Sequence, residues 1–278
     1  MKKYENLTLD EERALYGERD IYIKNCSFDG PADGESALKE AGEVTADGCF
    51  FNLRYPLWHC NNVRITDSKM TENCRAALWY STDIEITNST MHGIKAVREC
   101  EGVMISGCDV ISPEFGWFSS HIKVSDSKFV SEYFMLKSKN LKFSGVDFKG
   151  KYSFQYVEDS VFNNCNFDTK DAFWHAKNVT VRNSTVKGEY LAWYCENVTF
   201  ENCIIIGTQP LCYCKNLRLV NCRMISCELS FEKSSVEAEI IGNIDSIKNP
   251  DSGYIIADGV GEIIYDTDDK LCEITIKQ

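Results

Sequence analysis

The sequence lacks most of the features that assign a function at first reading. No stretch approaches the roughly 18 consecutive apolar residues of a membrane-spanning helix, so no membrane partner is expected. The opening residues, MKKYENLTLDEERALYGE, put no apolar run behind their two lysines. That pattern is not an export leader, and a cytoplasmic protein is expected. Basic charge is in short supply: 30 Lys and Arg stand against 42 Asp and Glu, a net charge of −12. Such a balance argues against nucleic acid or an anionic membrane surface as partner. There is no glycine-rich phosphate loop, no G-x-S-x-G elbow and no H-E-x-x-H, so neither nucleotide nor hydrolase chemistry is signalled by motif. Histidine is scarce, with four in 278 residues. His92 and His121 fall in turns, and His59 and His175 lie six repeats apart, so no metal and no cofactor is expected.

Repetition is what the sequence does have. FWHAKNVTVRNS (173–184) returns 19 residues later as AWYCENVTFENC (192–203). Aligning each unit on the residue before its first apolar position gives Asp20, Glu43, Asn62, Asp83, Gly102, His121, Asn140, Asp159, Asn178, Asn197, Asn216 and Ser235. Every step from Asp83 onward is 19, and the steps from Asp20 and Asn62 are 23 and 21. Within a unit, apolar residues alternate with polar ones, as in VRITDSKM from Val63, which is the period of a strand. A turn column follows: Asn25, Gly48, Asp67, Asn88, Gly107, Asp126, Gly145, Asn164, Asn183, Asn202 and Asn221. These residues enter left-handed backbone cheaply, so a sharp bend recurs in every unit. A third short strand follows, as in AALWYS from Ala76.

Three short strands per 19 residues predict an all-β fold, a single-stranded parallel β-helix of about 12 coils. We read 1–278 as a single domain, with an N-terminal cap over 1–19, the β-helix over 20–240 and a C-terminal β cap over 241–278. The N-terminal cap is expected to hold a short helix over Leu9–Tyr16, since Thr8 with Glu11 fits a capping box and Gly17 a stop. Beyond Val236 the register fails, and IIGNIDSI, GYIIADG, EIIYD and CEITIK read as irregular strands covering the open end.

Columns of equivalent residues carry the rest. Ten of the fourteen Cys fall in two small columns mixed with Ser, Ala and Val, one after the turn residue and one containing Cys60, Ser81 and Cys100. That composition fits a narrow interior packed with reduced thiols. A metal or redox reading would rest on Cys212-x-Cys214 with Cys195, which is not the paired CxxC of zinc sites. Another column reads Trp58, Trp79, Arg98, Trp117, Leu136, Gln155, Trp174, Trp193, Cys212 and holds all five Trp. Its neighbour reads His59, Tyr80, Glu99, Phe118, Lys137, Tyr156, His175, Tyr194, Tyr213. The interior is already filled by the residues on either side, so at least one aromatic column should face outward as an apolar stripe. The competing reading has loops or the C-terminal segment covering the stripe, or Trp packing inward.

The N-x-[VIF]-x-N-[SC]-x-[VF] coils over 20–240 resemble the pectin-lyase-like superfamily of single-stranded right-handed β-helices. More narrowly, GESALKE (34–40), RAALWYS (75–81), SPEFGW (112–117), KGKYSFQY (149–156) and KDAFWHAKNVTV (170–181) are similar to an uncharacterised bacterial family with this fold. The resemblance implies fold and handedness, and fold alone does not supply function. Enzymes of the superfamily mostly act on polysaccharides, many lyases with a Lys or Arg base and calcium-binding carboxylates, the galacturonases with an Asp cluster. Neither pattern maps onto this chain: the aromatic columns hold no Asp, and the nearest is Asp171.

Two functional readings follow. In the first, the stripe binds an oligo- or polysaccharide through Trp58, His59, Trp79, Tyr80, Trp117, Phe118, Lys137, Tyr156, Trp174, His175, Trp193 and Tyr194. Lyase-like or glycosidase-like catalysis would then draw on Arg98, Glu99 and Glu114, with Glu99 as general acid. In the second, the protein is a noncatalytic scaffold whose stripe is a homo-oligomer or partner-protein interface.

Overall fold

Left-handed backbone at fixed intervals bends the chain into coils. The computed structural model describes residues 1–266 and 271–277. Within it the chain forms two compact units, Met1–Lys142 and Phe143–Gln278. Both are parallel β-solenoids, with about 14 turns in all and no helix among the described residues. Each residue of the turn column has φ between 47° and 64°, from Asn25 at 49° to Asn221 at 51°. A second left-handed column coincides with the alignment residues from Asp20 to Asn216, including Glu43 and His121, at 51° and 55°; Ser235 is the exception.

In the first unit the strands Arg19–Lys24, Gly42–Asp47, Asn61–Thr66, Thr82–Thr87, Glu101–Ser106 and Ser120–Ser125 pair side by side in register. Ile21, Val44, Val63, Ile84, Val103 and Ile122 therefore superpose, and all six are buried. Past the turn, Lys69–Met70, Thr90–Met91, Asp109–Ile111 and Lys128–Glu132 form a second sheet. In the second unit Glu158–Asn163, Lys177–Arg182, Glu196–Glu201 and Leu217–Ile225 repeat the first pattern. Phe154, Phe162, Phe167 and Phe173 fill its core at centroid distances of 4.8–6.2 Å.

The ends differ from expectation. Leu9–Tyr16 is not helical: Lys2–Glu5 and Thr8–Leu9 pair with the following coil, so an additional winding precedes Asp20. The Arg13 and Leu15 amides bond to Glu35 and Ala37 of that coil instead of to carbonyls four residues back. Arg13 itself is left-handed, at φ 55°, which ends any helical turn. At the other end, Ser235–Ile240, Ser252–Ala257 and Cys272–Ile276 are not irregular but continue the parallel sheet. Asn243–Lys248 and Gly259–Ile264 form the second leg there. The spacing drops to 17 between Ser235 and Ser252, which hid this continuation from a search at period 19. Residues 267–270 and 278 of the expected C-terminal cap lie outside the described residues.

All fourteen Cys are buried and free. Their columns do more than fill space. A left-handed corner leaves one inward amide without a backbone partner, and a side chain of the next coil accepts it. The Cys60 N–H donates to Ser81 Oγ at 3.1 Å, Cys100 to Ser119 Oγ at 3.1 Å and Ser119 to Ser138 Oγ at 3.1 Å. Sulfur takes the same place: the Ser81 N–H points at the Cys100 thiol. Burial still pushes the Cys100 and Cys60 thiols up to about 11 and about 12.

Candidate functional site: an aromatic flank

The third leg of each coil is mostly a chain of turns, with a short strand pair at Leu78–Trp79 and Val97–Arg98 that Trp117 extends by one bridge. It carries the aromatic columns, and backbone geometry explains how both reach the surface. His59, Tyr80, Glu99, Phe118 and Lys137 in the first unit are left-handed, at φ 51–56°. So are Tyr156, His175, Tyr194 and Tyr213 in the second, at 56–61°. A corner at that position abolishes the strict in–out alternation of a strand. The Trp before the corner and the ring on it both turn outward, and the next residue, such as Cys60 or Cys195, turns in.

The two columns are exposed to different degrees. Tyr80, Phe118, Tyr156 and Tyr194 are 41–47% exposed, whereas all five Trp are half-buried. Each indole lies along the flank, and its N–H donates to a corner carbonyl of the next coil. Trp58 bonds to Ala76 at 2.6 Å, Trp79 to Lys95 at 2.9 Å, Trp174 to Tyr190 at 2.7 Å and Trp193 to Gln209 at 2.7 Å. Trp117 donates likewise to Tyr133. Gln155, which replaces Trp in its coil, makes the same bond through Nε2 to Asp171 at 3.1 Å. The Trp column is thus partly structural, each bond contributing about 0.5–1.5 kcal/mol.

Rings also stack along each unit. In the first, Trp58 lies on Trp79 at 5.2 Å with planes 2° apart, and His59 on Tyr80 at 4.9 Å. In the second, Trp174 lies on Trp193 at 5.5 Å and 4°. Tyr156, His175, Tyr194 and Tyr213 there form a continuous ladder at 4.7–5.1 Å. Trp and its outer neighbour stand edge to face, at 90° for Trp79–Tyr80 and Trp117–Phe118. Each ring covers much of its neighbour's face, so the flank presents ring edges more than faces. Tyr55, Tyr133 and Tyr190 widen the band, with Tyr55 4.8 Å from Trp58 and Tyr190 5.4 Å from Trp193. Sequence reading missed these three, although they occupy a column three residues before the Trp column, at Trp58, Leu136 and Trp193.

Charged groups on the flank are held in pairs. Arg98 Nε lies 3.4 Å from Glu99, and Lys95 Nζ lies 3.3 Å from Glu114. The three residues named for catalysis thus fall into two separate ion pairs, each carboxylate facing its own cation. Arg98 fills its level of the Trp column, with its guanidinium carbon 5.1 Å from the Trp79 ring and 5.4 Å from that of Trp117. Lys137 lies 6.0 Å from the Phe118 ring centre. Beside the second-unit band, Asp171 is only 7% exposed. Burial pushes its carboxyl up, and Lys170 opposes the rise. Among the described residues, no group of three or more His, Cys, Asp or Glu is placed to hold a metal ion.

A model of the family described as "Protein of unknown function (DUF3737)" matches residues 2–277. The chain belongs to this family. DUF3737 is thus the uncharacterised family that the GESALKE, RAALWYS and KDAFWHAKNVTV segments resemble. No curated protein matches the chain. Among solved structures it is similar to the surface protein and adhesin PfbA of Streptococcus pneumoniae: 10% identity over 95% of this chain and 93% of that one, TM-score 0.47. It is also similar to the A-module of the mannuronan C-5 epimerase AlgE4 of Azotobacter vinelandii: 10% identity over 99% and 89%, TM-score 0.33. No described helix of this DUF3737 member is long and apolar enough to cross a membrane.

Proposed function

We propose that the protein binds a linear, uncharged carbohydrate along its aromatic flank without cleaving it. The observation that supports this most is the line of partly exposed rings in each unit, absent from the two columns only at the Arg98–Glu99 and Leu136–Lys137 levels, with the Arg98–Glu99 and Lys95–Glu114 ion pairs beside it. Such a strip offers apolar contact, hydrogen-bonding edges and little net charge, which suits a periodic polyhydroxylated chain. Cleavage would need two carboxylates flanking one glycosidic bond. Glu99 and Glu114 instead each face their own cation. Titration of the full chain with cellohexaose, laminarihexaose and maltohexaose, followed by tryptophan fluorescence and calorimetry, tests the proposal. At least one hexaose should give a saturable change that Trp117→Ala weakens. Silence from all three in both measurements overturns it. A dimer in light scattering that dissociates on Trp117→Ala would favour the scaffold reading instead.

A further inference from the structure

We infer that strand Cys272–Ile276 of the second unit is a docking edge for a second copy of this chain, pairing antiparallel with its own counterpart about Thr275. The inference is independent of the carbohydrate reading and of the aromatic flank.

The first and last strands are finished differently. Lys2–Glu5 places Lys2 and Tyr4 in register with the buried Ile21 and Ile23. Both are tied down: Lys2 Nζ lies 2.7 Å from Glu18, and the Tyr4 hydroxyl donates to the same carboxylate at 3.1 Å. A charge and a hydroxyl in register with the core blunt that edge. In the last strand, Ile274 lies in register with Ile255 and Ile276 with Ala257, both buried. The two isoleucines are not covered in turn: Ile276 is 50% exposed, and Ile274 is half-buried. On the other leg Ile263, in register with the buried Ile247, is 40% exposed. The apolar core therefore reaches solvent here.

Backbone groups are open at the same place. Among the described residues Cys272–Ile276 has a neighbour on one side only, Ser252–Ala257. Successive residues of a strand between parallel neighbours turn their N–H and C=O groups to opposite sides. The Lys277 N–H is spent on the Ala257 carbonyl at 2.9 Å, so the amides of Ile274 and Ile276 face away from that neighbour. The other leg is a poorer edge, because Glu262 there lies in register with the buried Ser246.

Self-complementarity identifies the occupant. Antiparallel pairing about Thr275 sets Ile274 opposite Ile276 of the second copy, and the open amides and carbonyls of these residues exchange hydrogen bonds. Both isoleucines then stay on the core side, whereas a slip of one residue would turn those of the copy outward. The same register sets Glu273 opposite Lys277, an attractive cross-strand pair made twice. Glu273 has no ion pair within its own chain among the described residues, and Lys277 reaches Asp258 only at 3.7 Å. Centring the pairing on Ile274 instead would set Glu273 opposite Thr275 and lose both charge pairs. A two-fold contact of this kind uses one surface on both copies and closes at the dimer.

Sedimentation equilibrium of the full chain tests the inference. The contact is small, so the protein is examined at about 100 µM, where wild type should show twice the mass of one 31.6 kDa chain. Ile276→Asp should weaken association at least tenfold with little change in melting, because the side chain is already half exposed. Glu273→Lys and Lys277→Glu should each weaken it alone. Mixed one to one they should regain the wild-type association, since each strand then brings the charge that the other needs. Trp117→Ala should dimerise as wild type does. A monomeric wild type overturns the inference, as does growth beyond a dimer or a mixture that fails to regain association. A dimer kept in Ile276→Asp but lost in Trp117→Ala overturns it too, and moves the interface to the aromatic flank.

Discussion

Replacing Ser81 by Ala isolates the hydrogen-bond ladder inside the coils. Ser81 is fully buried. Its hydroxyl donates to the Leu57 carbonyl at 2.9 Å and receives the Cys60 N–H at 3.1 Å. Alanine removes one heavy atom and leaves that amide inside the coil without an acceptor. An unsatisfied buried donor costs about 1–3 kcal/mol, much more than the volume change. A loss near 2 kcal/mol corresponds to a melting shift of roughly 4–8 °C for a cooperative unit of about 150 residues. Ser81→Cys is the control. Its neighbours in the column are Cys60 and Cys100, so sulfur fits, and a thiol keeps a weak acceptor in place. The cysteine variant should therefore lose less than about 1 kcal/mol. Urea unfolding followed by circular dichroism measures both. Equal stability of the Ala and Cys variants would refute the reasoning, because small size alone would then account for the column.

Asp171 makes stability depend on pH with a definite sign. Its folded pKa is raised from 3.8 by burial, so between the two pKa values the native state binds more proton than the unfolded state. The associated stability is full below pH 3.8 and is lost as pH rises through the folded pKa. Asp171→Asn should therefore raise the urea midpoint at neutral pH, with the gain shrinking toward zero on acidification; a gain independent of pH would contradict this. The fourteen thiols are buried, and burial pushes those of Cys60, Cys74 and Cys212 up to about 12. A chromogenic disulfide reagent at mildly alkaline pH should label fewer than one thiol per native chain and all fourteen after denaturation. Rapid native labelling of several would show the columns to be open.

The turn column was legible because Asn, Asp and Gly advertise left-handed backbone, and every position read that way adopts it. The alignment column carries the same residue types at nine of its twelve positions, yet it was read only as a register mark; the outer aromatic column, with Tyr80 and Lys137, carries no such signature. Coil-to-coil hydrogen bonds impose their conformation, as with the Tyr80 amide on the Arg98 carbonyl at 3.1 Å. Leu9–Tyr16 read as helix since its local pattern fits one, and the pairing that overrides it depends on residues 19–22 positions away, from Phe28 for Leu9 to Ala37 for Leu15. At the flank, sequence identified which rings share a column. It could not reveal their tilt or stacking, so the scarcity of open faces emerged only from the geometry. Likewise Arg98 and Glu99 read as a possible acid–base pair, whereas the coordinates show Arg98 acting as a flat insert between indoles.

The nearly constant offset between paired residues also bears on how the chain acquires its structure. Parallel sheets are ordinarily slow to assemble, because their strands must find partners across long loops. Here Ile84 pairs with Val103, only 19 positions ahead. Divided by 278 residues, that separation gives a relative contact order of roughly 0.07, in the range of small helical bundles. Each winding can dock on the one already emerged from the ribosome, so assembly can keep pace with translation.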